Sequence, residues 1–189
     1  SDGSITSSVS ANTAAGFSIV SYTGTGSATT VGHGLSSAPE VIITKNRDDS
    51  GNWMVYHANI ASDAETDYIN LNLTNAAADG ASVWNDTAPT SSVFSVGTNG
   101  NSNGSSDDMI AYCFHSVEGY SKFGSYFGNS SGTDGPFVHT GFAPTFVLGK
   151  VTTQSGRWWI YDSARSPKMN YAIGTGAYIA ANNTMANST

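Results

Sequence analysis

One stretch of this chain is written twice. The segment from Ser21, SYTGTGSATTVGHGLSSAPEVIITKNRDDSGNWMVYH, returns from Ser125 as SYFGNSSGTDGPFVHTGFAPTFVLGKVTTQSGRWWIYD. Tyr126 follows Tyr22 by 104 positions, while Pro144, Lys150, Ser155, Gly156, Trp158 and Tyr161 follow Pro39, Lys45, Ser50, Gly51, Trp53 and Tyr56 by 105. A register kept over so many positions makes each copy one supersecondary unit, so the fold must accommodate two related units.

Each copy predicts three strands. The first carries the Tyr; a Gly-rich loop and a His follow. A Pro then opens a β-branched or aromatic run, PEVIITK or PTFVLGK, of the kind that fills a buried strand. Pro suits that opening because it has no N–H to give a ladder. A loop ending in Ser-Gly leads into NWMVYH or RWWIYD, where large apolar residues alternate at period two, which predicts a hairpin. Trp53 and Trp158 recur at one repeat position and are expected in the core. Lys45 and Lys150 each end an apolar strand, with stems expected to cover the sheet edge.

Between the copies, DYINLNLT places Ile69, Leu71 and Leu73 on one face, and SVWNDTAPTSSVFSVG and MIAYCFHSVEGYSKFGSY also read as strands. NAAADGAS predicts a short helical turn. The stretch from Gly97 to Asp108, GTNGNSNGSSDD, reads as a flexible surface loop by composition. Residues 1–16 are expected to be a linker or N-terminal arm, 17–120 the first repeat unit, and 121–189 a second, truncated unit, packed with the first as one domain or two closely joined subdomains. YIAANNTMANST from Tyr178 aligns with YINLNLTNAAAD from Tyr68, so counterparts of Ser82 to His115 are missing from the second copy. Either the sequence is a piece of a longer polypeptide, the preferred reading, or a neighbouring chain supplies those strands by edge pairing.

Charged residues make up 11% of the 189, well under the roughly 25% usual for soluble domains. Ser, Thr, Asn and Gly fill the space between apolar runs, which favours strands and turns over helices. A formal charge of -7 with only seven Lys and Arg argues against a nucleic-acid partner, whose phosphates need clustered cations. No apolar run approaches membrane-spanning length, and no membrane insertion is expected. Cys113 stands alone in MIAYCFH and reads as a buried strand cysteine acting as a small hydrophobe.

The chemistry-bearing residues are sparse. A sandwich-type glucanase needs two or three carboxylates close together on one strand face, and the nearest approach is Asp63, Glu65 and Asp67. Without a shielding aromatic, these read as a solvated edge first and a calcium site second. Asp107 and Asp108 are further calcium candidates if carbonyl oxygens complete a site. No cofactor is otherwise expected. The four histidines show no zinc spacing; His33 and His139 hold similar repeat positions and are expected to make loop hydrogen bonds. Sugar binders stack an aromatic ring on a pyranose and surround it with Asn, Asp and Gly. Trp84 beside Asn85 and Asp86, Trp159 with its alternation against Trp158, and Tyr120 are the binding candidates.

The segments GFSIVSYTGTGSATTVGHGL, SAPEVIITKNRDDSGNWMVYH, LNLTNAAA, WNDTAPTSSVFSVG, AYCF, SKFGSYFGN and TGFAP resemble a family of uncharacterised domains in structural and tail proteins of marine bacteriophages, which often carry a concanavalin A-like lectin domain alongside. The likeness covers roughly residues 16 to 165. It implies a virion protein, a tail fibre, tail tip or similar appendage, and transfers no site residue.

The fold expected is an all-β antiparallel β-sandwich, lectin- or jelly-roll-like, built from an internal duplication. The expected function is a non-enzymatic virion appendage with a host-receptor or glycan-binding role. The rival is a purely architectural decoration, filament or oligomerisation module, with a polysaccharide-degrading enzyme third. Expected partners are other virion subunits, including copies of the chain in a homo-oligomer, and a cell-surface glycan, on the virion or otherwise outside a cell.

Overall fold

The computed structural model describes residues 2–164 and 179–180. Among these residues, twelve strands and two single helical turns follow one another: β1 Ser7–Asn12, β2 Phe17–Thr23, β3 Thr29–Gly32, β4 Val41–Asn46, β5 Met54–His57, β6 Asp67–Asn70, β7 Ala78–Asp79, α1 Ala81–Trp84, β8 Val93–Val96, α2 Gly100–Asn103, β9 Asp108–Phe114, β10 Phe146–Lys150, β11 Trp158–Asp162 and β12 Ile179–Ala180. The expected antiparallel, sandwich-like all-β fold is the one that forms.

Its main layer is a seven-stranded sheet in the order β1-β2-β9-β4-β5-β6-β7, and the β3–β8 ribbon forms a separate two-stranded sheet. Period-two alternation decides which side chains meet in the core. Ser18, Val20 and Tyr22 of β2 are buried while their neighbours are half-exposed, and β9 buries Met109, Ala111 and Cys113 in the same way. Val20, Tyr22 and the three β9 residues join Ile42, Met54 and Tyr56 in one cluster with Val31, Phe94 and Val96 of the ribbon and with Val83 and Trp84 of α1. Phe94 meets Tyr22 edge-on at 6.2 Å, and Trp84 meets Tyr56 edge-on at 6.0 Å. Each large side chain buried here contributes about 2–3 kcal/mol.

The alternate side chains build a second cluster, with Val41, Val55 and Ile69 buried and Ile43, Leu71, Phe114 and Phe123 packed around them. Both faces of the main sheet are therefore apolar near its centre.

The second copy repeats the strand pairing of the first over three strands. β4 pairs with β5 as Val41↔His57 through Thr44↔Met54. β10 pairs with β11 as Phe146↔Asp162 through Gly149↔Trp159, the same register moved by 105. β5 pairs with β6 through Met54↔Asn70 and Val55↔Ile69, and β11 with β12 through Trp159↔Ala180 and Ile160↔Ile179. The sheet β10-β11-β12 thus reproduces β4-β5-β6.

Several expectations change. Residues 7–12, expected in a linker or arm, are β1, paired along their whole length with β2. The strand expected at Tyr126 does not form: Tyr22 is 5% exposed inside the sheet, whereas Tyr126 is 65% exposed in irregular chain. The reason is pairing, since β2 lies between β1 and β9 and no described strand flanks residues 122–128. The strand expected from Met109 to Tyr126 ends at Phe114, and the one expected from Ser82 is α1 followed by β8. The helical turn expected within residues 75–82 comes later, at Ala81–Trp84, because β7 takes Ala78 and Asp79.

Residues 97–108 are not a flexible surface loop. Ser102 and Asn103 in α2 are fully buried. The Asn103 side chain accepts from Thr25 N–H at 2.8 Å and donates to the Ser27 and Gly97 carbonyls, both at 2.7 Å. Tyr22 donates its hydroxyl to the Ser102 carbonyl at 2.6 Å, and Asn46 donates to the Gly100 carbonyl at 2.9 Å. Polar residues chosen for turns satisfy neighbouring backbone groups, which allows the segment to lie inside the fold as a hydrogen-bonded plug.

Candidate functional site

The aromatic candidates are placed very differently. Trp84 is 2% exposed, its ring packed on Tyr56 and its indole N–H unpaired. The expected exposed platform is therefore absent at this residue: one turn of helix rolls Trp84 into the sandwich, and Asn85 and Asp86, both at positive φ, turn the chain outward in front of it. Trp159 is half-buried on β11, and Tyr120 is exposed on the turn in which its N–H donates to the Val117 carbonyl. These residues do not form one site.

The carboxylate candidates do not converge either. Asp63 and Glu65 lie in a turn spanning 62–66, and β6 begins only at Asp67, so the three do not share a strand face. The turn is closed by Thr66, whose N–H and hydroxyl both donate to the Asp63 carbonyl at 2.9 Å. Asp67 lies opposite Asp79 in the β6–β7 ladder. Burial, then the negative charges of Asp63 and Asp79, push the Asp67 carboxyl above its ordinary range. Asp107 is occupied, accepting from Asn46 Nδ2 at 2.7 Å, and exposed Asp108 receives Arg47 N–H on its carbonyl. Among the described residues, no group of three or more His, Cys, Asp or Glu side chains is arranged to hold a metal ion.

The histidines also diverge. His33 is fully buried: its Nδ1 accepts from Leu35 N–H at 3.1 Å, which puts the ring proton on Nε2, 3.1 Å from the Thr90 carbonyl. Burial lowers its pKa. His139 is exposed, with the ring of Phe137 at 6.4 Å. Burial pushes the Cys113 thiol up to about 12, so Cys113 is an inert core residue.

The exposed large hydrophobics concentrate in one stretch of the second copy, its apolar flank. Apart from Val9 and Tyr120, every large hydrophobic residue that stands exposed among the described residues lies between Tyr126 and Val151. Phe127 is 96% and Phe137 90% exposed, and Phe146, Val147 and Leu148 of β10 are exposed in succession. Phe137, Val138, His139, Phe142 and Pro144 line an open groove of about 290 Å³. A polar groove of about 300 Å³ lies at the ends of β1, β2 and β9, lined by Thr6, Ser7, Ser8, Thr23, Arg47 and Asp108.

The hairpin carrying β10 and β11 is anchored on one side. Trp158 is buried in the second cluster of the main sheet and donates its indole N–H to the Asn70 carbonyl at 2.9 Å. Ala77 N–H donates to the Thr152 carbonyl at 2.8 Å, and Gly156 N–H to the Thr74 carbonyl at 2.7 Å. Trp53, the repeat counterpart of Trp158, is half-buried and stacks on Tyr112 at 6.4 Å. The two lysines do more than cover an edge. Lys45 donates to the carbonyls of Asn46 and Asp49, and Lys150 to that of Val151 at 2.8 Å, each fastening its own hairpin loop.

A family profile described as a domain of unknown function, DUF7483, matches residues 1–189. The chain belongs to that family. The match spans both copies of the repeat. Neither a curated protein nor a solved structure matches the chain at significant similarity.

Sequence reasoning missed the polar plug and the exposed flank. The Asn99, Asn101, Asn103 spacing is the signal that could have found the first. The second had none, because PTFVLGK reads as a buried strand whether or not anything covers it.

Proposed function

We propose that this domain is a non-catalytic assembly module of a bacteriophage virion appendage, joined to further copies of itself through the apolar flank of its second repeat unit. The observation that carries this reading is the exposure of Phe127, Phe137, Phe146 and Leu148 on one unit, a number of bare large apolar side chains that an interface with a neighbouring copy would cover. Low charge density and the lack of clustered cations fit a structural surface. The phage setting rests on the sequence resemblance.

Sedimentation tests it. The wild-type chain should self-associate as its concentration rises from low to high micromolar, and a Phe127→Ser, Phe137→Ser double variant should remain monomeric. A wild-type chain that stays monomeric throughout overturns the proposal.

Host-glycan recognition is the second reading. With Trp84 inside the sandwich, its support narrows to exposed Tyr120 as a stacking platform. A glycan array probed with wild type and Tyr120→Ala separates the two readings, because self-assembly requires no sugar.

A further inference from the structure

We propose that the face of the main sheet carrying Trp53 and Tyr112 binds a short, neutral, β-linked oligosaccharide. This deepens the glycan reading and rests on it, by naming a site apart from Tyr120 and the class of sugar it takes.

Strand register assembles the site. Ser8 pairs with Ser21, Ser21 with Ile110, and Thr23 with Asp108. Cross-strand partners share a sheet face. This one lies opposite the Tyr22 core, because buried Ser18, Val20 and Tyr22 alternate along β2 with half-buried Ile19 and Ser21. Tyr112 falls on the same face as Asp108 and Ile110 by the same alternation. Trp53, just before β5, lays its ring within 20° of parallel to that of Tyr112, with centroids 6.4 Å apart. Both residues are half-buried. The repeat does not impose this on Trp53, since its counterpart Trp158 is buried in the second cluster. The backbone of Trp53 is held in place by Asn72, whose Oδ1 accepts Trp53 N–H at 3.1 Å and whose amide donates to Asn52 Oδ1 at 3.0 Å.

The polar groove of about 300 Å³ lies at the end of β9 where Asp108 stands, and Ser8, Ser21, Thr23, Arg47 and Asp108 line it. From Asp108 to Tyr112 is about 13 Å along β9. A short oligosaccharide reaches both, and a single sugar ring does not. Pyranoses with equatorial substituents present flat C–H faces that stack on aromatic rings, and hydroxyl edges that pair with hydroxyls, carboxylates and guanidinium N–H groups. β-Linkage extends such rings into a ribbon that can lie along a sheet, whereas α-linkage coils them away from it. Charge selects a neutral chain. Arg47 shares the groove with Asp108, and Asp48 Oδ2 accepts Asp108 N–H at 2.6 Å. In a chain of net charge -7, these carboxylates repel uronates and accept from neutral hydroxyls.

The test titrates the full chain with cellotetraose, an extended neutral β-linked probe, with α-linked maltotetraose and with anionic tetragalacturonate, by calorimetry and amide chemical shifts. Cellotetraose should bind at millimolar concentration or below and shift the amides of Thr23, Asp108, Ile110 and Tyr112. Trp53→Ala should weaken it about three- to tenfold, the loss of one stacked ring. Trp53→Phe should restore most of the affinity. Arg47→Ala, at an exposed position, should also weaken it and guards against misfolding of the Trp53 variant. Circular dichroism and the melting temperature check both folds.

No cellotetraose binding, equal binding by the Trp53→Ala and Arg47→Ala variants, or equal or tighter binding of maltotetraose or tetragalacturonate overturns the proposal. A host glycan whose binding survives both variants and is lost in Tyr120→Ala defeats this inference and leaves the glycan reading intact. Cellotetraose binding at Trp53 by a chain that binds no host-surface glycan does the reverse.

Discussion

Trp158 hands its indole proton to the carbonyl of Asn70 at 2.9 Å, and through that bond the second repeat unit is fixed to the first. The ring is buried with Val41, Val55 and Ile69, so this contact joins hydrogen bonding to burial. Replacing Trp158 by Ala should cost about 3–5 kcal/mol, and by Phe about 1 kcal/mol, chiefly the lost hydrogen bond. Urea denaturation measures both. Faster amide exchange at Ala77 and Gly156, whose N–H groups bond between residues 74–77 and the loop of the same hairpin, would distinguish undocking from general destabilisation. Equal stability of the Ala variant and wild type would rule out the anchoring role.

Asn103 should be intolerant of its closest isostere. Asp in its place can accept from Thr25 N–H but cannot donate to the Ser27 and Gly97 carbonyls that Asn103 serves. Each buried acceptor left unpaired costs about 1–3 kcal/mol. Asn103→Asp should therefore lower the denaturation midpoint at neutral pH by more than Asn101→Asp does, and comparison of the two curves decides it.

Stability should fall on mild acidification. Burial holds the His33 pKa below its ordinary value, and His57 is lowered chiefly by burial, with Glu40 opposing. The unfolded chain then takes up protons first. The contribution of the neutral rings is complete above about pH 6.5 and is lost as pH falls through the folded-state values, at up to about 1.4 kcal/mol per pH unit for each proton. A His33→Gln variant should lose less stability than wild type between about pH 7.5 and about pH 5. An identical loss in both proteins would remove His33 from this account.

Cys113 should ignore thiol reagents in the native state. It is fully buried and its thiol is pushed up to about 12, so little thiolate exists at pH 8. Ellman's reagent should label the folded chain only at the rate of opening, and label one thiol at once in denaturant. Rapid labelling of native protein would contradict this placement.

The hairpins and their doubling were legible in the sequence, because Pro39 and Pro144, the apolar runs and the paired tryptophans lie in one register and depend on local pattern alone. Tertiary context decided the rest. Trp84 reads as polar-flanked and exposed, yet one helical turn places it under Tyr56. Asn103 reads as loop, yet its amide replaces backbone partners inside the fold. Tyr126 repeats Tyr22, but a strand needs neighbours, and identity in one strand says nothing about its partners. The carboxylates failed as a site for a related reason: Asp63 and Glu65 follow period two on paper and a turn in space.

β9 sits in the middle of its sheet although it enters the chain after β1 to β8. During synthesis the joining of β1–β2 to β4–β7 must wait for residues 108–114 to leave the ribosome, so an N-terminal fragment ending before Asp108 has no strand to bridge the two halves of the sheet. Such late, long-range closure makes folding slow, on the order of milliseconds to seconds, and leaves nascent chains exposed to premature pairing with one another for that interval.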